Sequence, residues 1–176
     1  MKIIETKRCT LRPWRLSDVE DMYEYAKLPN VGPAAGWKPH HDAQESARII
    51  AMFIASNEVW AIEMKDSKKV VGSIGLHLDD KRPKVKARMV GFVLHPAFWG
   101  QSIIAEAVTE IVRYAFTELD VDIISGYHYP FNRQSGRVFE KCGFRYEGTL
   151  RMSSVIYDGT VLDNVCFSIL RNEVSL

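Results

Sequence analysis

Apolar and polar positions along this chain switch between two periods, and each switch marks an element. Ile103, Ile104, Ala107, Val108, Ile111, Val112, Ala115 and Phe116 recur at three-and-four spacing, one face of a helix of about four turns. Just before them Val90, Phe92, Val93 and Leu94 form a β-branched and aromatic run whose end is punctuated by Pro96 and Gly100. The pattern predicts a buried strand that passes through a short aromatic turn directly into a helix.

The same reading extends over the rest of the chain. Residues 3 to 13 read as a first strand stopped by Pro13, and Ser17-Asp18-Val19-Glu20 has capping-box spacing, predicting a helix that Pro29 closes. Residues 30 to 41 hold Gly32, Pro33, Gly36 and Pro39 around Trp37, a loop, and Asp42-Ala43-Gln44-Glu45 opens a helix to about Ser56. Strands are predicted at residues 59 to 65, 70 to 78, 86 to 94, 121 to 128, 144 to 151 and 161 to 170. Asn132 is an N-cap for a helix at residues 132 to 141, with Val138 and Phe139 facing the core and Gly143 at the left-handed exit. Strands and helices alternating through the second half imply an α/β fold: a mixed central sheet of about seven strands with helices on both faces.

Length makes this one domain, residues 1 to 176, large enough for a core without disulfides or metal. A net charge of +1 argues against direct nucleic-acid binding or adhesion to an anionic membrane. Cys9, Cys142 and Cys166 lack ligand-like spacing and read as reduced thiols of a cytoplasmic protein, so no metal site is expected. The amino-terminal segment carries charge too early for a signal core, and no segment has membrane-spanning length.

The aromatic turn carries the first candidate chemistry. Free N–H groups at the start of a helix, favoured by its dipole, suit an anion such as a pyrophosphate. Together with L-R-P-W at Leu11 to Trp14, V-G-S-I-G-L at Val71 to Leu76, W-G-Q-S followed by Ala105-Glu106-Ala107, N-x-x-S at Asn132 to Ser135 and E-G-T-L-R at Glu147 to Arg151, the chain resembles the GNAT superfamily of acyl-CoA-dependent N-acyltransferases. Within it the likeness is to the RimJ/RimL branch of ribosomal-protein N-terminal acetyltransferases. The resemblance implies the GNAT fold, acetyl-CoA as cosubstrate without a metal, an amine acceptor, and a homodimer as an assembly.

Acetyl transfer from a thioester to an amine sets four tasks: holding the pyrophosphate, polarising the carbonyl, deprotonating the amine and protonating the thiolate. The resemblance assigns the first to the backbone of Gly100, Gln101, Ser102, Ile103 and Ile104. Ser102 stands where relatives usually have glycine or alanine. It assigns the carbonyl to N–H groups near Val93 and Leu94, with the pantetheine arm added like a strand, and gives Asn132 a hydrogen bond to that arm. In the branch it resembles the serine of N-x-x-S is the proton donor, a role the resemblance gives to Ser135, while the position of the tyrosine many relatives use is Phe139 here. Trp37 and Tyr157 are candidate acceptor contacts; Arg137 and Lys141 are either phosphate contacts or a solvated face.

Deprotonation has no family residue here: the carboxylate positions of relatives fall on Met89 and Ser154. His77, Glu63 and His95 are the alternatives, and His77 alternates out of the Ile74-Leu76-Leu78 face. Near neutral pH, deprotonating an α-amine costs about 1 kcal/mol and a lysine-like amine about 4.6 kcal/mol. A weak base therefore favours a peptide amino terminus as acceptor. A small-molecule amine acetyltransferase and a non-catalytic acyl-CoA sensor are the competing expectations.

Overall fold

Thr6 turns the first predicted strand back on itself. Its N–H donates to Cys9 O (2.8 Å) and its hydroxyl accepts from Cys9 N (2.9 Å), a local side-chain-to-backbone closure typical of threonine in turns. Residues 3 to 13 are thus not one strand but two, β1 (Ile4–Glu5) and β2 (Cys9–Arg12), paired antiparallel. The sheet of about seven strands therefore has eight, in a computed structural model that describes residues 1–174.

The Ser17 capping box does not form. Asp18 instead accepts from Arg12 Nη1 and Nη2 (2.8 and 2.9 Å) and from Arg15 N (2.8 Å). Residues 16–18 wind into a 3-10 turn, and helix α1 begins at Val19 (Val19–Ala26). The second capping site holds: Asp42 accepts from Glu45 N at 2.7 Å and opens α2 (Ala43–Ser56), which Asn57 ends at a φ of 55°.

Strands β3 (Val59–Met64), β4 (Val70–Leu78) and β5 (Ala87–Leu94) follow as an antiparallel meander, then helix α3 (Ile103–Glu118). After α3 come β6 (Ile123–His128), α4 (Arg133–Lys141), β7 (Arg145–Val155) and β8 (Val161–Leu170), giving the order β1-β2-β3-β4-β5-β6-β8-β7. Alternation along β3 divides the core. Val59 and Ala61 pack under α1 and α2 with Met22, Tyr25 and Ile50, while Trp60 and Ile62 face α3 and α4. Helices thus cover both faces, and the apolar stripe read from residues 103 to 116 is the buried face of α3.

One pairing fails, and the failure makes the site. β5 and β6 run parallel, but they pair only at Ala87–Met89 with Ile123–Ser125. Beyond that the strands diverge, and β6 keeps its full antiparallel ladder with β8. An aromatic wedge occupies the opening on the α4 side: Phe139 packs against Phe92, Phe144 and Phe167 at centroid distances of 5.4, 5.3 and 5.6 Å. Gly126 admits the wedge, since a Cβ there would lie 2.2 Å from the Phe139 ring. Gly126→Ala should therefore destabilise the fold by about 1–3 kcal/mol, the cost of overpacking a filled core, read as a lower urea midpoint.

Candidate active site

Where β6 departs, one edge of β5 is left without a partner, and three contacts fix which backbone groups lie on it. Asp122 N donates to Lys86 O (2.8 Å) on the β6 side, His95 N donates to Val71 O (2.7 Å) on the β4 side, and Trp99 Nε1 caps Leu94 O at 2.8 Å. Strand groups alternate sides, so the N–H groups of Phe92 and Leu94 face the opening. Val93 turns its N–H toward β4 and away from the opening, so of the expected pair Val93 and Leu94 only Leu94 faces it, together with Phe92. The expectation took two adjacent residues, and adjacent residues of a strand face opposite edges.

The aromatic turn then places the start of α3 beside this edge. Gly100 and Ser102 both adopt the left-handed region, at φ of 75° and 63°. The second is a strained choice for a non-glycine residue. Arg8 donates to Gln101 O and is held by Glu106 (Nε to Oε1, 2.9 Å). A trans peptide opposes its C=O and N–H, so pulling Gln101 O outward aims the Ser102 N–H the other way. Lys141 Nζ reaches across from the end of α4 and donates to Ser102 Oγ at 2.6 Å. Among the described residues neither Lys141 nor Arg137 has a carboxylate partner. A lysine at a helix N-terminus stands where the dipole is already positive, and together they form a cradle that suits a polyanion. Neither Arg8 nor the Lys141–Ser102 bond was legible in the sequence, since both join residues far apart along it.

Between the edge of β5, α3 and α4 lies a cavity of about 420 Å3, lined by Phe92, Leu94, Trp99, Ile104, Ser135 and Val138 among others. Gly100, Ser102, Ile103 and Asn132 also line it; Gln101 is exposed beside it. Asn132 caps α4 by accepting from Ser135 N (3.3 Å) and donates to Ala34 O (3.0 Å), which ties the 30–41 loop to the cavity rim. Ser135 is half-buried in that wall, and among the described residues its hydroxyl has no protein partner. Phe139 is core. Trp37 folds over Gly32 and packs beside His40, while Tyr157 is exposed and donates its N–H to Gly36 O (3.2 Å). Both lie on the loop cluster outside the cavity wall.

The candidates named for the base differ in how far their side chains are already engaged. Glu63 is taken by Arg12 (2.6 Å), and His95 accepts from Ala97 N while facing Glu24 at 3.4 Å. Ser154 is tied to Asn164 (2.9 Å), and Met89 has no proton to move. His77 remains, its Nδ1 3.2 Å from Glu58 Oε2. Deeper lies a group no pattern revealed: Asp79, whose side chain is fully buried, accepts from Ser125 (2.7 Å), Tyr127 (2.9 Å) and Arg82 (3.0 Å). Burial pushes this carboxyl up, but the hydrogen bonds from Ser125, Arg82 and Tyr127 outweigh it and hold Asp79 below the ordinary range.

A family model described as "Acetyltransferase (GNAT) domain" matches residues 8–145, so the chain belongs to the GNAT acetyltransferase family. It is 27% identical over 175 residues to the uncharacterized N-acetyltransferase YoaA of Bacillus subtilis, covering 96% of this chain and 97% of YoaA. Its fold is similar to that of the microcin C7 self-immunity acetyltransferase MccE solved with acetyl-CoA and AMP (TM-score 0.77, 18% identity, 93% of each chain). It is also similar to that of ribosomal-protein-S5-alanine acetyltransferase from Vibrio fischeri (TM-score 0.76, 18% identity, 100% of each chain). The chain is thus an acetyl-CoA-dependent N-acetyltransferase of GNAT type, and the cradle fits the cosubstrate's phosphates.

Two outcomes follow from this geometry. Lys141→Met should weaken coenzyme A binding about tenfold, the equivalent of one charge-assisted hydrogen bond, while the exposed Arg113→Met on α3 leaves it unchanged in calorimetry. The stability contributed by Asp79, whose folded pKa is lowered, is present above about pH 4 and lost as pH falls through the folded value. Asp79→Asn should cost about 2 kcal/mol at pH 7 and flatten the acid limb of the unfolding curve.

Proposed function

We propose that the chain acetylates primary amines of low basicity, with the α-amine of a peptide or protein amino terminus as the leading acceptor, as in the RimJ/RimL branch it resembles. The observation that carries this reading is the acceptor side of the site: neither family carboxylate position holds an ionisable group, and Ser154 is spent on Asn164. An α-amine needs roughly 3 kcal/mol less help than a lysine-like amine, so a site without a strong carboxylate base suits the former.

In this reading the turn from Gly100 to Ile104, with Lys141, holds the pyrophosphate and the pantetheine arm runs along the free edge of β5. The N–H groups of Phe92 and Leu94 stabilise the oxygen of the tetrahedral intermediate. The acceptor enters between the 30–41 loop and the β7–β8 end, past Trp37 and Tyr157. Its nitrogen forms the new C–N bond as the C–S bond breaks, and Ser135 Oγ gives the departing sulfur its proton. Asn132 would exchange its bond to Ala34 O for the pantetheine amide. A homodimer has its candidate surface on the edge strand β7, where Leu150, Met152 and Val155 are exposed.

Acetyl-CoA turnover followed by thiol release, across a panel of peptides with free amino termini, lysine side-chain models and small amines, tests the acceptor class. Peptide α-amines are expected to lead. Preference for a small amine would overturn the peptide reading, and tight coenzyme A binding without turnover of any amine would favour an acyl-CoA sensor. Ser135→Ala should lower kcat about a hundredfold with coenzyme A affinity unchanged.

A further inference from the structure

We propose that His77 is the general base of the transfer and that Glu58 is the residue that positions it, an assignment that rests on the acetyltransferase reading above. Three observations converge on it. In the ladder of β4 and β5, His77 stands directly opposite Met89, the position onto which the family resemblance maps a carboxylate. Opposed residues share a face with Cβ atoms about 5 Å apart. The proton acceptor has therefore moved one strand sideways rather than disappeared.

Glu58 fixes the ring. A carboxylate only accepts, so the 3.2 Å contact to Oε2 places the hydrogen on Nδ1 and leaves Nε2 of the neutral imidazole with a free lone pair. This is the base-and-orienter arrangement that general-base histidines require. Among the described residues Glu58 is the one charged group within ion-pair distance of the imidazole. Lys81 lies over the Tyr127 ring at 4.6 Å and Arg82 is committed to Asp79 and Glu147.

The floor beneath the ring explains Gly75. His77 leans back along β4 so that a Cβ on Gly75 would lie 2.3 Å from Nε2. Gly75 is paired with Gly91, where a Cβ would meet nothing closer than Met89 Sδ at 3.9 Å. Two opposed glycines leave a strip without side chains, running from Nε2 to the residue that precedes Phe92. Strands lie about 4.8 Å apart, and the free edge lies on the far side of β5, so a short chain of waters along the strip links Nε2 to an amine poised at that edge. The ammonium proton passes along that water chain to Nε2, and the freed nitrogen pair attacks the thioester carbon. The nitrogen loses its second proton to water as the thiolate leaves and takes a proton from Ser135. The imidazolium and the serine then re-equilibrate with solvent, one proton being released overall.

The test compares the parent enzyme, His77→Gln, Glu58→Gln and Glu58→Asp, using the best amine of the panel across pH, with coenzyme A binding by calorimetry as a check on the fold. His77→Gln should lower kcat about a hundredfold, bind coenzyme A as the parent does, lose the acidic limb of the kcat profile, and recover at high pH where the amine is already neutral. Glu58→Gln should fall about tenfold in kcat at every pH, with Glu58→Asp restoring most of it. A His77→Gln enzyme with the parent's kcat and acidic limb overturns this assignment alone. Absence of acetyl transfer by the parent overturns the underlying reading, and this assignment with it.

Discussion

The hydrogen-bond ladder that β5 and β6 abandon after Met89 and Ser125 is what the rest of the site depends on. Within a sheet, unmet N–H groups are a cost that folded proteins normally remove by pairing. Here the strands are held apart by Phe139, wedged over Gly126, and by the antiparallel grip of β8 on β6. The unmet donors of Phe92 and Leu94 become the surface that an extended amide chain can complete. In the proposed mode, this polar deficit of the fold is what the cosubstrate's pantetheine arm would satisfy.

Charge repeats the same logic at the aromatic turn. Ser102 accepts left-handed strain, Arg8 anchors the preceding carbonyl, and Lys141 brings an ammonium to the positive end of α3. Each is unfavourable or neutral in isolation, and an anion between α3 and α4, as proposed for the pyrophosphate, would reconcile them. Binding and folding therefore pull on the same residues, and the segment linking them is only a few residues long.

Much of this was written in the pattern of the chain. The stripe on α3, the strand before it, Asn132 as a cap and Asp42 as a cap are local properties, and local periodicity reports them well. Misreadings arose where a distant partner outbid a local signal. Asp18 looked like part of a capping box until Arg12 claimed it, and Thr6 closed a turn inside an apparent strand. The Asp79 network could not be read at all, because it joins the end of β4 to β6, and its hydrogen bonds exist only once those strands lie side by side. The phase of β5, which decides between Phe92 and Val93 as a donor, likewise becomes visible only through its neighbours.

Phe139 limits what this enzyme can become. Its ring touches three other phenylalanines and is 1% exposed, so restoring the tyrosine that many relatives use would bury a hydroxyl among carbon atoms, at about 1–3 kcal/mol. Placing a tyrosine proton donor at this position by one substitution is closed off by packing rather than by chemistry. If Ser135 protonates the thiol as proposed, improvement of that step falls to the first turn of α4, a stretch of four residues from Asn132 to Ser135.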